Sequence, residues 1–164
     1  VLSNYPDINL FLPSNPKEFE HLINMNYNNK QVNYFRISEN KDNTFIRENR
    51  FFKKKNKNQL IVVVGNSINK EKLKNFKFDI YYINSITKNM NFSFIKNYKS
   101  IIIIEPYFGN IIESKIRKKN NLNNKILTIN YNDTIIHKYG EKKTQDKFLR
   151  FDEKTILKII KKHE

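Results

Sequence analysis

Apolar and polar positions fall into blocks of two kinds along this chain. Short, unbroken runs rich in β-branched residues, Leu60-Ile61-Val62-Val63-Val64 and Ile101-Ile102-Ile103-Ile104, predict strands covered on both faces, as in a parallel sheet under helices. Other stretches place apolar residues three and four apart and predict amphipathic helices. Phe19, Leu22 and Ile23 follow an Asn15 cap and Pro16; Ile111, Ile112 and Ile116 follow Gly109; Ile156, Ile159 and Ile160 follow an Asp152 cap. Further strands are predicted over 8–12, 32–37, 78–83 and 125–129, with short helices around 70–73 and 92–98. Strands alternating with helices at this spacing define an α/β fold with a mostly parallel open sheet and flanking helices.

From Ser38 to Asn58 the chain is polar and charged and includes Lys53-Lys54-Lys55. A linker over 41–58 is expected there. It would separate a short piece of one α/β domain, 1–40, from a second over 59–164. A length of 164 residues is enough to bury a real core. No run approaches the length of a transmembrane helix, and the first residues have neither the basic nor the apolar region of a signal peptide. The chain starts near a strand without Met, which reads as the middle of a longer protein. Cysteine is absent, which excludes disulfides, thiolate zinc sites and cysteine nucleophiles. A cytoplasmic location is expected, with an organelle of an AT-rich eukaryote as the alternative.

Lys and Arg total 31 against 16 acidic residues, a net charge of +15. Such a balance raises nucleic acid or an anionic membrane as partner. Alanine is absent and Asn, Ile and Lys are abundant, the profile that a strongly AT-rich genome writes on any protein. A basic nucleic-acid-binding α/β module stays open as an alternative of another class.

Gly65-Asn66-Ser67 follows a strand but has neither G-x-G-x-x-G nor the P-loop Lys-Ser/Thr pattern, and it reads as an ordinary strand-to-helix turn. His21, His137 and His163 show no metal-ligand spacing. Arg36 is the one Arg inside a strand pattern, sharing a face with Val32 and Tyr34. Its planar guanidinium can hold a phosphate bidentately; the alternative is an ion pair with Glu18 or Glu39. Glu105 stands at a strand's carboxyl end, where backbone N–H groups of the next loop or helix are expected to take its carboxylate. Glu105→Gln is then expected to cost roughly 1–2 kcal/mol; a catalytic acid or base is the other reading.

Several of these segments resemble transketolase-like, thiamine-diphosphate-dependent enzymes over nearly the whole chain. Asn9 to Glu18, with its Leu-Pro-Ser-Asn-Pro-Lys-Glu, and Val32 to Ser38 resemble the end of that family's pyrimidine-binding domain. Leu60 to Gly65, Asp79 to Thr87 and Ile101 to Ile116 resemble strands and a helix of its C-terminal domain. The family's paired glycines stand here as Gly109-Asn110, and Thr87-Lys88-Asn89 lacks the usual Pro. The resemblance implies the C-terminal portion, or a split subunit, of an enzyme that transfers ketol units between sugar phosphates. It implies thiamine diphosphate and Mg2+ in the complete enzyme, held by a cofactor-bearing N-terminal segment or subunit and not by this chain alone. A homodimer or heterotetramer is implied, with a dimerisation role for this chain and structural roles for Glu105 and Gly109. Arg36 corresponds to an Arg near the substrate phosphate in related synthases. A beta-type 2-oxoacid dehydrogenase subunit and a deoxyxylulose-phosphate-synthase-like enzyme are alternatives within the superfamily.

Overall fold

The computed structural model describes residues 7–38, 42, 44–55, 58–107, 109–119, 124–131 and 140–164. Two sheets form. In the larger, β4 (Gln59–Val64) lies at the centre, with β5 (Asp79–Ile83) on one side and β7 (Ser100–Ile104) on the other, then β8 (Lys125–Ile129); all these pairs are parallel. The antiparallel edge strand β3 (Arg50–Lys53) closes the β5 side. This is the mostly parallel open α/β sheet expected from the pattern.

The unbroken apolar runs follow from cover on both faces. Leu60, Val62, Val64, Ile101 and Ile103 point to one core, shared with a 3-10 turn (Ser93–Asn97) and α3 (Ile111–Lys119). Ile61, Val63, Ile80, Ile102 and Ile104 point to the other, which holds Leu73 of α2 (Lys70–Leu73), Leu149 after α4 (Lys142–Phe148), and Ile156 and Ile160 of α5 (Glu153–Lys162). Asp152 caps α5 by accepting from Thr155 N at 3.1 Å.

The smaller sheet has the order β2-β1-β6. Strand β1 (Ile8–Phe11) is parallel to β2 (Val32–Phe35), and α1 (Pro16–Asn26) connects them. Asn15 caps α1 through Glu18 N, with Pro16 in its first turn. The third strand, β6 (Ser85–Ile86), comes from beyond β5 and runs antiparallel to β1.

Three elements differ from the expectation. The polar stretch taken as a linker contributes β3, whose Phe51 and Phe52 pack partly against the two cores. Strand β6 follows β5 directly, where no further strand is expected. Helix α4 has no buried residue and hence no apolar stripe to announce it.

The two sheets touch at Gly65. Its φ of +56° suits glycine, and a Cβ there would lie 3.0 Å from Leu12 Cβ. Leu12 N donates to Asn84 O at 2.7 Å across the same boundary.

Candidate functional site

The carboxyl ends of β2 and β7 converge. Beyond β2, Arg36 N still donates to Phe11 O at 2.8 Å, so the residue stays registered on the small sheet. Its side chain crosses to the loop after β7. Nη1 donates to Pro106 O at 2.6 Å, and Cζ lies 5.0 Å from the centre of the Tyr107 ring. Glu18 is not its partner. That buried carboxylate accepts from Ser14 N at 2.9 Å, Ile46 N at 2.9 Å and Tyr82 Oη at 3.0 Å. Glu39, the other acid considered, lies outside the described residues, as does His137.

Tyr107 is buried and its hydroxyl makes no hydrogen bond. Burial pushes the phenol's pKa up, and the nearby Arg36 charge opposes the rise. Tyr131 behaves alike: burial and Asp146 raise its pKa while Arg36 opposes them. The guanidinium therefore faces both phenols.

Glu105 is 0% exposed at the end of β7. Oε2 accepts from Ile112 N, in the first turn of α3, at 3.0 Å, and Oε1 has no partner. Burial pushes its pKa up to about 7; Glu113 adds to the rise, and the N–H groups of Ile112 and Ile111 oppose it. Burial outweighs the hydrogen bond from Ile112 N in setting that direction. The carboxyl has the backbone partner expected for it, in the first turn of the next helix. A glutamine carbonyl can also accept from Ile112 N, in a neutral hydrogen bond.

Gly109 has φ +78° with open space around its Cα, so conformation rather than crowding requires glycine. Asn130 Nδ2 donates to Gly109 O at 3.0 Å and to Asn110 Oδ1 at 2.8 Å. Asn110 is not left-handed; its side chain fastens the turn to the end of β8 instead. Gly65-Asn66-Ser67 is a turn whose Ser67 hydroxyl donates to Val64 O. A cleft of about 360 Å³ opens beyond it, between Asn66–Asn69 and the α4–α5 corner. The acids lining that cleft are engaged: Asp146 with Lys142, Glu153 with Lys72, and Asp152 as a cap.

Sequence reasoning missed a buried polar network between the sheets. Lys70 Nζ, 0% exposed, pairs with Asp42 Oδ2 at 2.8 Å, donates to Ser14 Oγ at 3.1 Å, and sits 4.1 Å from the centre of the Tyr82 ring. Lys70 gives no signal of burial among so many solvated lysines, and Asp42 falls in the polar stretch taken as linker. Pro106 and Tyr107 were also missed as the seat of Arg36.

An open, mostly parallel α/β sheet with flanking helices, of the kind that forms transketolase C-terminal domains, is thus the fold of this chain. It superimposes on a split-gene transketolase, described as an inactive "beta4 tetramer", with TM-score 0.72 and 11% identity over 98% of this chain and 58% of the other. Against transketolase from Campylobacter jejuni the TM-score is 0.64, with 12% identity over 97% of this chain and 27% of that one. The chain therefore spans little more than half of the first relative's length and about a quarter of the second's. No protein-family model matches the sequence, and no curated protein matches it. Among the described residues, no helix is long and apolar enough to cross a membrane.

Proposed function

We propose that this chain is the C-terminal portion, or a split subunit, of a transketolase-like enzyme that moves ketol units between sugar phosphates. The observation that carries this reading is that 98% of the chain, both sheets included, superimposes on the split-gene subunit in a single alignment. In this reading the chain supplies architecture, subunit contacts and Arg36 as the holder of the substrate's phosphate. Arg36 suits that role because Nη1 is held by Pro106 O, and a guanidinium fork, with its five donors, matches phosphate geometry.

The thiamine cofactor and its Mg2+ belong to another segment in this reading. Among the described residues, no three His, Cys, Asp or Glu side chains are grouped to hold a metal ion. The face offered to that segment is apolar. Met25, Tyr27, Val32, Tyr34 and Ile37, on and around the edge strand β2, are exposed large hydrophobics. Such a patch on an open sheet edge marks a surface that another element covers.

The deciding experiment compares wild type and Arg36→Lys in the complete, cofactor-loaded enzyme. The expected result is a raised KM for phosphorylated sugars, by about ten- to hundredfold, with little change for unphosphorylated ones. Equal losses on both substrate types would make Arg36 structural. A chain that binds DNA with a steep salt slope and ignores the cofactor-bearing segment would belong to another class altogether.

A further inference from the structure

Arg36 projects from one sheet and is seated by the other. By itself, the hydrogen bond from Nη1 to Pro106 O at 2.6 Å fixes one corner of the guanidinium and leaves rotation about that corner. The Tyr107 ring, 5.0 Å from Cζ, supplies the face that removes this freedom. Tyr107 is itself anchored. Its N–H donates to Glu105 O and its carbonyl accepts from Tyr131 N, each at 3.0 Å. Glu105 in turn is tied to α3 through Ile112 N. The surface under Arg36 is thereby fixed to β7, β8 and a helix at once. The small sheet holds Arg36 through its backbone, by the bond from Arg36 N to Phe11 O, just past the end of an edge strand.

We infer that Tyr107 is a positioning residue: with the Pro106 carbonyl it sets the plane of the Arg36 guanidinium so that the remaining N–H edge meets a phosphate monoester dianion. The inference rests on the reading of Arg36 as the phosphate holder and adds the residue that makes it competent. Bidentate recognition depends on the orientation of the fork, whereas a freely swinging guanidinium offers only charge. The ring performs this role, because the hydroxyl makes no hydrogen bond. Tyr107→Phe should therefore preserve the site, and Tyr107→Leu should remove it.

The test uses the 164-residue chain itself, titrated with inorganic phosphate, a triose phosphate and the unphosphorylated triose, and followed by phosphorus NMR and the Arg side-chain resonances. Wild type and Tyr107→Phe are expected to bind the triose phosphate alike, and more tightly than inorganic phosphate or the bare triose. Tyr107→Leu and Arg36→Lys are each expected to bind about ten- to hundredfold more weakly, the range of one charged hydrogen bond. If Arg36→Lys weakens binding and Tyr107→Leu does not, the positioning role falls and the reading of Arg36 stands. If Arg36→Lys binds like wild type, if wild type binds no phosphate, or if inorganic phosphate binds best, both fall. Should Tyr107→Leu fail to fold, the wild-type Arg36 Nε–H signal decides. A ring-shifted, slowly rotating guanidinium supports the seat, and an averaged, unshifted one overturns it.

Discussion

In the large sheet, every residue from Leu60 to Val64 is 0% exposed, whereas β2 of the small sheet leaves Val32 62% exposed and nearby Ile37 71% exposed. Strands of both sheets draw on β-branched and aromatic residues, so propensity alone does not separate them. Cover does. Helices, or a 3-10 turn with a helix, close both faces of β4 and β7, while α1 covers only one side of β2, where Phe35 stacks on Phe11 and meets Phe19 edge-on. Among the described residues, the large sheet is covered on both faces and β2 on one. Between them lies a third kind of contact, polar and fully enclosed, in which Asp42 and Lys70 pair beside the Glu18–Tyr82 bond.

That junction should show the largest single effect. Asp42→Ala leaves the Lys70 ammonium buried without its partner and should cost about 3–5 kcal/mol in urea unfolding, while replacing both by apolar residues of similar volume should be near neutral. A cost below about 1 kcal/mol for Asp42→Ala would mean that the sheets are joined by apolar contact alone. The pairing also holds the Asp42 pKa below its ordinary value: burial raises it, and Lys70 and Thr44 more than offset the rise. Its contribution is therefore present above the unfolded carboxylate pKa and lost as pH falls through the lower folded value.

Glu105 runs the opposite way inside the large sheet. Its pKa is raised from 4.5 to about 7. Below 4.5 both states hold the proton; between there and about 7 only the folded state does, so stability falls as pH rises across that window. The total is on the order of 3 kcal/mol. Glu105→Gln should flatten this slope and exceed wild type in stability at alkaline pH. A parallel pH profile for the two proteins would show that the carboxyl stays charged throughout.

The smallest effect should come from the open edge. Val32→Ala in the isolated chain should stay within about 0.5 kcal/mol of wild type, against roughly 2–5 kcal/mol for truncating a buried isoleucine such as Ile103. The same Val32→Ala should measurably weaken association with the cofactor-bearing segment. Equal stability losses at Val32 and Ile103 would mean that β2 is already covered.

What the sequence revealed follows the same division. The runs at 60–64 and 101–104 are legible because cover on both faces leaves no polar position in the strand, and the Asn15 and Asp152 caps are legible because their chemistry is local. Strand β3 is hidden by Arg50 and Lys53, which suit an edge. The Asp42–Lys70 and Glu18–Tyr82 contacts join residues 28 and 64 positions apart, and no periodicity encodes such pairs. Arg36 stood out as a lone Arg in a strand pattern. Tyr107, one aromatic among many, became visible only once the loop after β7 was placed beneath it.

Strand β6 has a consequence for how the chain could be divided. Ser85–Ile86 sits in the small sheet although it follows β5, and β3 sits in the large sheet although it precedes β4. Asn49 clips the two together, accepting from Asn84 N at 2.8 Å and Ser85 N at 3.0 Å and donating to Ser85 O at 2.7 Å. Each half thus lends a strand to the other. A nick between Lys54 and Lys55 would leave the two pieces laced together by β1–β6, β3–β5 and the Asp42–Lys70 pair. Translated separately, from two messages, those pieces would carry all the pairing instructions needed to find each other and rebuild one body.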